Sequence, residues 1–377
     1  MKTIKLFSLS AAVIFISAAV VSAQTAAQTA VSTTTAAGVR KAVNKTLKKK
    51  TPVKAGAKAL PRAAAKPAAA AANPAASQPA AVQPSAPAVS SFDEAVSKLN
   101  SSDPVVRRQG ADTLIRSRDH GAAPHLAKAL SDSAPAVRAA AVDGLCQMAH
   151  RDSTEEITEI LQKDPDASVR QQAAGSLSYM MDPAAGPALV AALKDPAIAV
   201  RYAAANTLGA MKYAPAEGAL IDALSQADMH RIAISALGQL QSKKAAPAIA
   251  ASLSDQDKYT KLEAVKALGT IGDSSFAADI KKLLDKAEDP STRVEAALAL
   301  SKFGMSDGLL TAYEFTSSPD LSLKNRALDV LSNVGDARSL QFIQDAYAAE
   351  KNPAVKSMYD FTRQRLSARL KIPLTLP

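Results

Sequence analysis

The sequence predicts an all-α fold: an α-solenoid (α/α superhelix) of about eight two-helix repeats behind a disordered N-terminal tail. Three observations lead there. A Leu at a Leu-Gly-like site recurs as Leu114, Leu145, Leu177, Leu208, Leu237, Leu268, Leu300 and Leu331, in steps of 29 to 32 residues. Seven residues before each stands a basic marker: Arg107, Arg138, Arg170, Arg201, His230, Lys261, Arg293 and Lys324. Sixteen residues after the first six comes a second Leu: Leu130, Leu161, Leu193, Leu224, Leu253 and Leu284. Three markers holding register over six units exceed what an Ala-rich chain produces by chance, and they mark a repeat architecture.

Residues 1–23 read as a secretory signal. Lys2 and Lys5 precede an apolar run from Leu6 to Val21, and Val21-Ser22-Ala23 supplies small residues for cleavage. The run is short against the ~20 residues that span a bilayer, and no Cys lies near the cut. The expectation is a cleaved signal, no membrane span afterwards, and a periplasmic or secreted protein that is not a lipoprotein.

Residues 24–91 are Ala, Thr, Ser, Pro and Lys with few large apolar side chains. Scattered Pro interrupts any Ala-driven helix before it overcomes its nucleation cost, so this stretch reads as a disordered, basic linker. Net charge over the whole chain is +10, but residues 1–91 hold 12 basic and no acidic residues, leaving 33 basic against 35 acidic beyond them. The basic character therefore belongs to the tail, densest through Arg40, Lys41, Lys48, Lys49, Lys50 and Lys54. Such a cluster, within residues 40–66, suits an anionic envelope polymer or surface. Export argues against nucleic acid, although the composition also resembles linker-histone tails.

The repeat domain is expected over 92–377. Each unit reads as a first helix ending near the Leu site and a second helix opening on Pro, as at Pro124, Pro187, Pro215 and Pro247. Gly209, Gly238 and Gly269 follow their Leu inside the first helix, where the absent side chain allows close packing. Ser91-Phe92-Asp93-Glu94 offers a capping box at one end. At the other, Tyr359, Asp360, Arg363 and Arg365 suggest the polar outer face of a terminal unit. One turn, Gln226-Ala227-Asp228, lacks Pro and two or three residues, which predicts a local change in superhelical twist. With aromatics at 4% and no Trp, the core must be built from small side chains.

The Asp-x(n)-Val-Arg-x-x-Ala-Ala-x-x-Leu-Gly pattern is carried by Val106-Arg107, Val137-Arg138, Val169-Arg170 and Val200-Arg201, followed by Ala139-Ala140, Ala173-Ala174 and Ala203-Ala204. It resembles the HEAT repeats, in the short form named after phycobilisome lyases, over about residues 92–366. The resemblance implies a helical solenoid used for protein interaction, with pigment lyases and metal-dependent hydroxylases among its relatives.

A row of Arg along a solenoid could bind a polyanion. An Asp stands in the turn before most of them, so Arg107, Arg138, Arg170, Arg201 and Arg293 with Asp103, Asp132, Asp164, Asp195 and Asp289 read as a structural ladder tying each turn to the next. Cys146, the only Cys, reads as a small buried hydrophobe. His120 and His125 do not share a helical face, and the His-Glu pairs that hold iron in the hydroxylase relatives do not occur. No cofactor, metal or catalytic residue is assigned. The expected function is a non-enzymatic scaffold gripping an unidentified protein through its second-helix face, with Tyr213, Tyr259, Tyr313 and Phe315 as larger side chains that could contact it. The alternatives are a lyase or isomerase acting on a bound prosthetic group, and polyanion binding by the tail.

Overall fold

A computed structural model describes residues 91–286 and 288–374, all within one structural unit, residues 82–377. The signal segment and the tail cluster from Arg40 to Lys54 lie outside the described residues. Among those described there are 18 α-helices and no strand. They run α1 (Ser91–Leu99), α2 (Pro104–Ser117), α3 (Ala123–Ala129), α4 (Pro135–Gln147), α5 (Thr154–Lys163), α6 (Ala167–Met180), α7 (Gly186–Ala192), α8 (Ile198–Ala210) and α9 (Glu217–Ala223). The chain continues through α10 (His230–Leu240), α11 (Ala246–Ala251), α12 (Lys258–Ile271), α13 (Ala277–Lys282), α14 (Pro290–Lys302), α15 (Leu309–Thr316), α16 (Leu321–Val334), α17 (Ala337–Ala349) and α18 (Pro353–Leu370). Even-numbered helices are the first helices of their units. Each packs on the next even-numbered helix and on the odd-numbered one beside it.

Local chemistry sets the helix starts. Asp103, Asp166, Asp257, Asp289 and Asp320 cap first helices by accepting a backbone amide of the first turn. Second helices enter through a single 3-10 turn in most units, with Pro124, Pro187 and Pro247 in the first α-helical turn. First helices end on residues in the left-handed region at Arg118, Ala149, Met181, Lys212, Gln241, Gly272 and Gly304. That series keeps the step of the Leu series, yet only its last two members are Gly, the residue such an ending favours.

Small residues let the first helices touch backbone to backbone. A Cβ on Gly238 would lie 2.8 Å from the Cα of Ala267, and one on Gly209 would lie 2.9 Å from the Cα of Ala236. The second of these contacts crosses the shortened turn, so close packing of first helices continues past it. Two hydrophobic clusters result. One runs from Ala95 to Leu300 and is dominated by Ala, Leu and Val. The other is built around Val294, Phe315, Leu331 and Tyr359. They meet at α14, whose residues Thr292–Ser301 are all buried.

Two expectations about the ends are corrected. Glu94 does not reach back to the helix start; it pairs with Lys98 at 2.8 Å, one turn on. Tyr359 is not on the polar outer face. It is buried, and its hydroxyl donates to the Thr316 carbonyl at 3.1 Å. Arg363 and Arg365 pair with Asp360 and Asp329, at 2.6 and 3.2 Å.

Candidate functional site

The basic column is turned onto neighbouring units. Arg138 donates through Nε and Nη2 to the two carboxylate oxygens of Asp164, at 2.7 and 2.8 Å. Arg107 forks onto Asp132 at 2.7 Å through both nitrogens, and Arg170 onto Asp195 at 2.8 and 3.0 Å. Each Arg thus reaches forward into the turn of the following unit. Its Nη1 donates backward to its own turn, to the carbonyls of Ser101, Asp132 and Asp164 respectively. Asp132 and Asp164 therefore serve two arginines, one at the carbonyl and one at the carboxylate. Their carboxylates also accept the amides of Ala134 and Asp166.

The electrostatics follow from this geometry. The Arg107 hydrogen bond holds the Asp132 carboxyl below its ordinary range. Burial pushes Asp164 and Asp195 up, but the arginine forks and the backbone amides outweigh it and hold both below that range. Side-chain exposure is only 11% for Arg138 and 4% for Asp164, so this is an enclosed, charge-assisted pair.

Two members of the sequence-based ladder stand outside it. Asp103 precedes the first Arg of the column, so no earlier unit reaches it; it caps the Val105 amide at 2.8 Å. Asp289 caps Ser291, while Lys261 of the preceding unit takes the adjacent Glu288 at 3.0 Å. Arg293 in turn forks onto Glu314 of α15, a second-helix residue, and lies over the Phe315 ring. Asp228, Glu288 and Glu314 were missed as partners. Asp228 and Glu288 could have been found from the spacing of 25 to 27 residues between a basic marker and the next turn's carboxylate.

The shortened turn disturbs two rungs. Arg201 meets Asp228 through Nη2 alone, and its buried Nε has no partner. His230 replaces the next Arg and spends both ring nitrogens locally, Nδ1 at 2.5 Å from the Leu224 carbonyl and Nε2 at 3.0 Å from Ser252 Oγ. The carboxylate of Asp255 in the following turn accepts the Asp257 amide at 2.7 Å, which is its one side-chain partner among the described residues.

Open grooves flank these helices. The largest of those described, about 750 Å³, is lined by Tyr202, Asp228, His230, Arg231, Asp255 and Glu263 among others. Tyr202 also walls a groove of about 450 Å³ floored by Gly175, Ala199 and Ala203 between α6 and α8. A third, of about 420 Å³, lies between the second helices α7 and α9.

The remaining candidates are packing residues or surface. Cys146 is fully buried, and burial pushes its thiol up to about 12. His125 meets Phe92 edge to face, and His150 pairs with Ser153. Tyr213 packs its ring against Gly186, Tyr313 bonds Ser339, and Phe315 is buried; Tyr259 is exposed. Among the described residues no group of His, Cys, Asp and Glu is placed to hold a metal. No described helix is long and apolar enough to cross a membrane.

Similarity to known proteins is confined to architecture. No curated protein matches the chain. In structure it is similar to an engineered protein (18% identity, 73% of this chain and 88% of that one, TM-score 0.45). It is also similar to YibA of Escherichia coli (18%, 63% and 91%, TM-score 0.45) and to a chain of the CpcE–CpcF complex of phycocyanin lyase from Nostoc (23%, 67% and 100%, TM-score 0.39). The family model for HEAT repeats matches residues 92–178, 123–209, 154–228, 216–290 and 277–358. Those matches together cover more than half of the sequence, and the chain belongs to the HEAT-repeat family.

Proposed function

We propose that this HEAT-repeat protein is an exported, non-enzymatic scaffold whose array holds a protein partner, and whose basic stretch 40–66 tethers it to an anionic envelope surface. The observation that carries the scaffold reading is the inward turn of the arginine column. The most regular charges of the array are consumed by its own units, so recognition falls to the grooves between helices, where the units differ. Export rests on Lys2, Lys5 and the Leu6–Val21 run, and tethering on the 12 basic residues set against no acidic ones before residue 92. The grooves over the first helices are the larger, which favours that face over the shorter second helices.

Affinity capture from an envelope fraction tests this, with full-length protein and a form lacking residues 24–91 side by side. The expected outcome is one protein partner retained by both forms, with envelope association lost from the shortened one. Capture that vanishes with the tail and weakens steeply with salt would instead assign binding to the tail, as for a polyanion ligand.

A further inference from the structure

We infer that the groove between α10 and α12 takes an arginine side chain from the bound partner, which completes the rung that His230 leaves open. The array supplies its own template for this. Asp132, Asp164 and Asp195 occupy equivalent turns, accept the amide two residues on, and each hold a guanidinium in a two-point fork. Asp255 has the same turn and the same amide contact, at 2.7 Å, and no guanidinium. Its expected internal partner is residue 230, which lies 25 positions upstream, as Arg107 and Arg170 lie upstream of Asp132 and Asp195. An imidazole is too short to make the reach and stops at Ser252, three residues before Asp255.

The vacancy is accessible, because Asp255 and His230 both line the 750 Å³ groove. The charged groups around it leave an acidic balance. Arg231 leans to Asp257 at 3.8 Å, Glu263 sits 3.6 Å from Lys266, and Asp228 is taken by Arg201. Lys261, the basic marker of the same unit, is engaged with Glu288. Tyr202, 38% exposed, offers the far wall of the groove an aromatic face for the rest of an extended segment. A fork onto a carboxylate requires the planar guanidinium, so the partner's contact residue is Arg rather than Lys.

This inference rests on the scaffold reading and names the group the partner contributes. The test uses full-length, ¹⁵N-labelled protein titrated with the peptide acetyl-Ala-Ala-Arg-Ala-Ala-amide and, separately, its Lys counterpart. The amides of Asp255, Asp257 and Arg231 are expected to shift saturably, with the Arg peptide about fivefold tighter or more. Asp255→Asn keeps an oxygen for the Asp257 amide and should weaken the Arg peptide about tenfold. His230→Arg supplies the guanidinium internally and should abolish binding. Equal binding of the two peptides, binding unchanged in Asp255→Asn, or no saturable shift at the groove would each overturn the inference. A partner still captured by the Asp255→Asn protein leaves the scaffold reading standing while this one falls.

Discussion

The units from α2 to α8 and the units from α14 onward solve the same problem with different chemistry. In the first region the core is Ala, Leu and Val, first helices touch through backbone, and neighbouring units are tied by one repeated Arg–Asp fork. In the second the fork gives way to particular contacts. Arg293 reaches Glu314 and the Phe315 ring, Lys324 lies over Tyr359, Lys356 and Arg363 over Tyr347, and Tyr313 meets Phe342. A periodic link serves where every neighbour is alike. Near the end of the array the neighbours stop being alike, and larger aromatic side chains fill the irregular space.

The comparison can be broken most sharply at its charges. Asp164→Ala strands Arg138 in an enclosed site and is expected to cost about 3 kcal/mol or more in urea unfolding. Glu314→Ala should cost less, about 1 kcal/mol, because Glu314 is 47% exposed and Arg293 keeps the Phe315 ring and the Leu284 carbonyl. Equal losses would mean that the enclosure of the fork contributes nothing.

Backbone contact is the next contrast. Gly238→Ala forces a methyl to 2.8 Å from Ala267 and should destabilise by about 1–3 kcal/mol. Gly175→Ala lies in mid-helix with nothing within 4 Å of the added carbon, and should stabilise by about 0.5–1 kcal/mol through helix propensity. Thermal unfolding of the two variants reads the opposite signs directly.

The smallest effect is in pH dependence, where the regions carry opposite signs. Asp132, Asp164 and Asp195 have folded pKa values below their unfolded ones. Their stabilisation is present above the ordinary Asp range, near pH 4, and is lost as pH falls through the lowered values. Glu295, buried in α14 beside Arg326, is raised by desolvation, with Arg326 opposing. Its contribution is fullest below the ordinary Glu pKa and is lost as pH rises through the raised folded value. Glu295→Gln should therefore flatten the loss of stability above about pH 4.5 while leaving the acid limb below pH 4 unchanged. Unfolding curves collected across that range check both limbs.

The same contrast explains what could be read from the sequence. The Leu series, the basic column and the Pro-led second helices are periodic, and periodicity survives without coordinates. The forward direction of each rung was half legible: the Asp beside each Arg in the chain was visible, while the one it grips lies 25 to 27 residues on. Tyr359 looked exposed because its neighbours Asp360 and Arg363 are polar, and only the packing of α18 on α16 buries it. The left-handed endings of the first helices were invisible because Arg, Ala, Met, Lys and Gln carry no mark of that conformation. The vacancy at Asp255 appears only when a rung is missing from a ladder whose other rungs are seen filled.

The forward reach of each arginine also gives the array a direction. Every link joins a donor on one unit to an acceptor on the next, so stacked units are related head to tail, the arrangement that in separate molecules builds open filaments. Both ends are closed against that outcome. Asp103, the leading acceptor, faces α1 and is engaged in capping its own helix, and Lys356, the trailing donor, lies over Tyr347. The array is thus built from a connection that could propagate without limit, and its two atypical ends set its length.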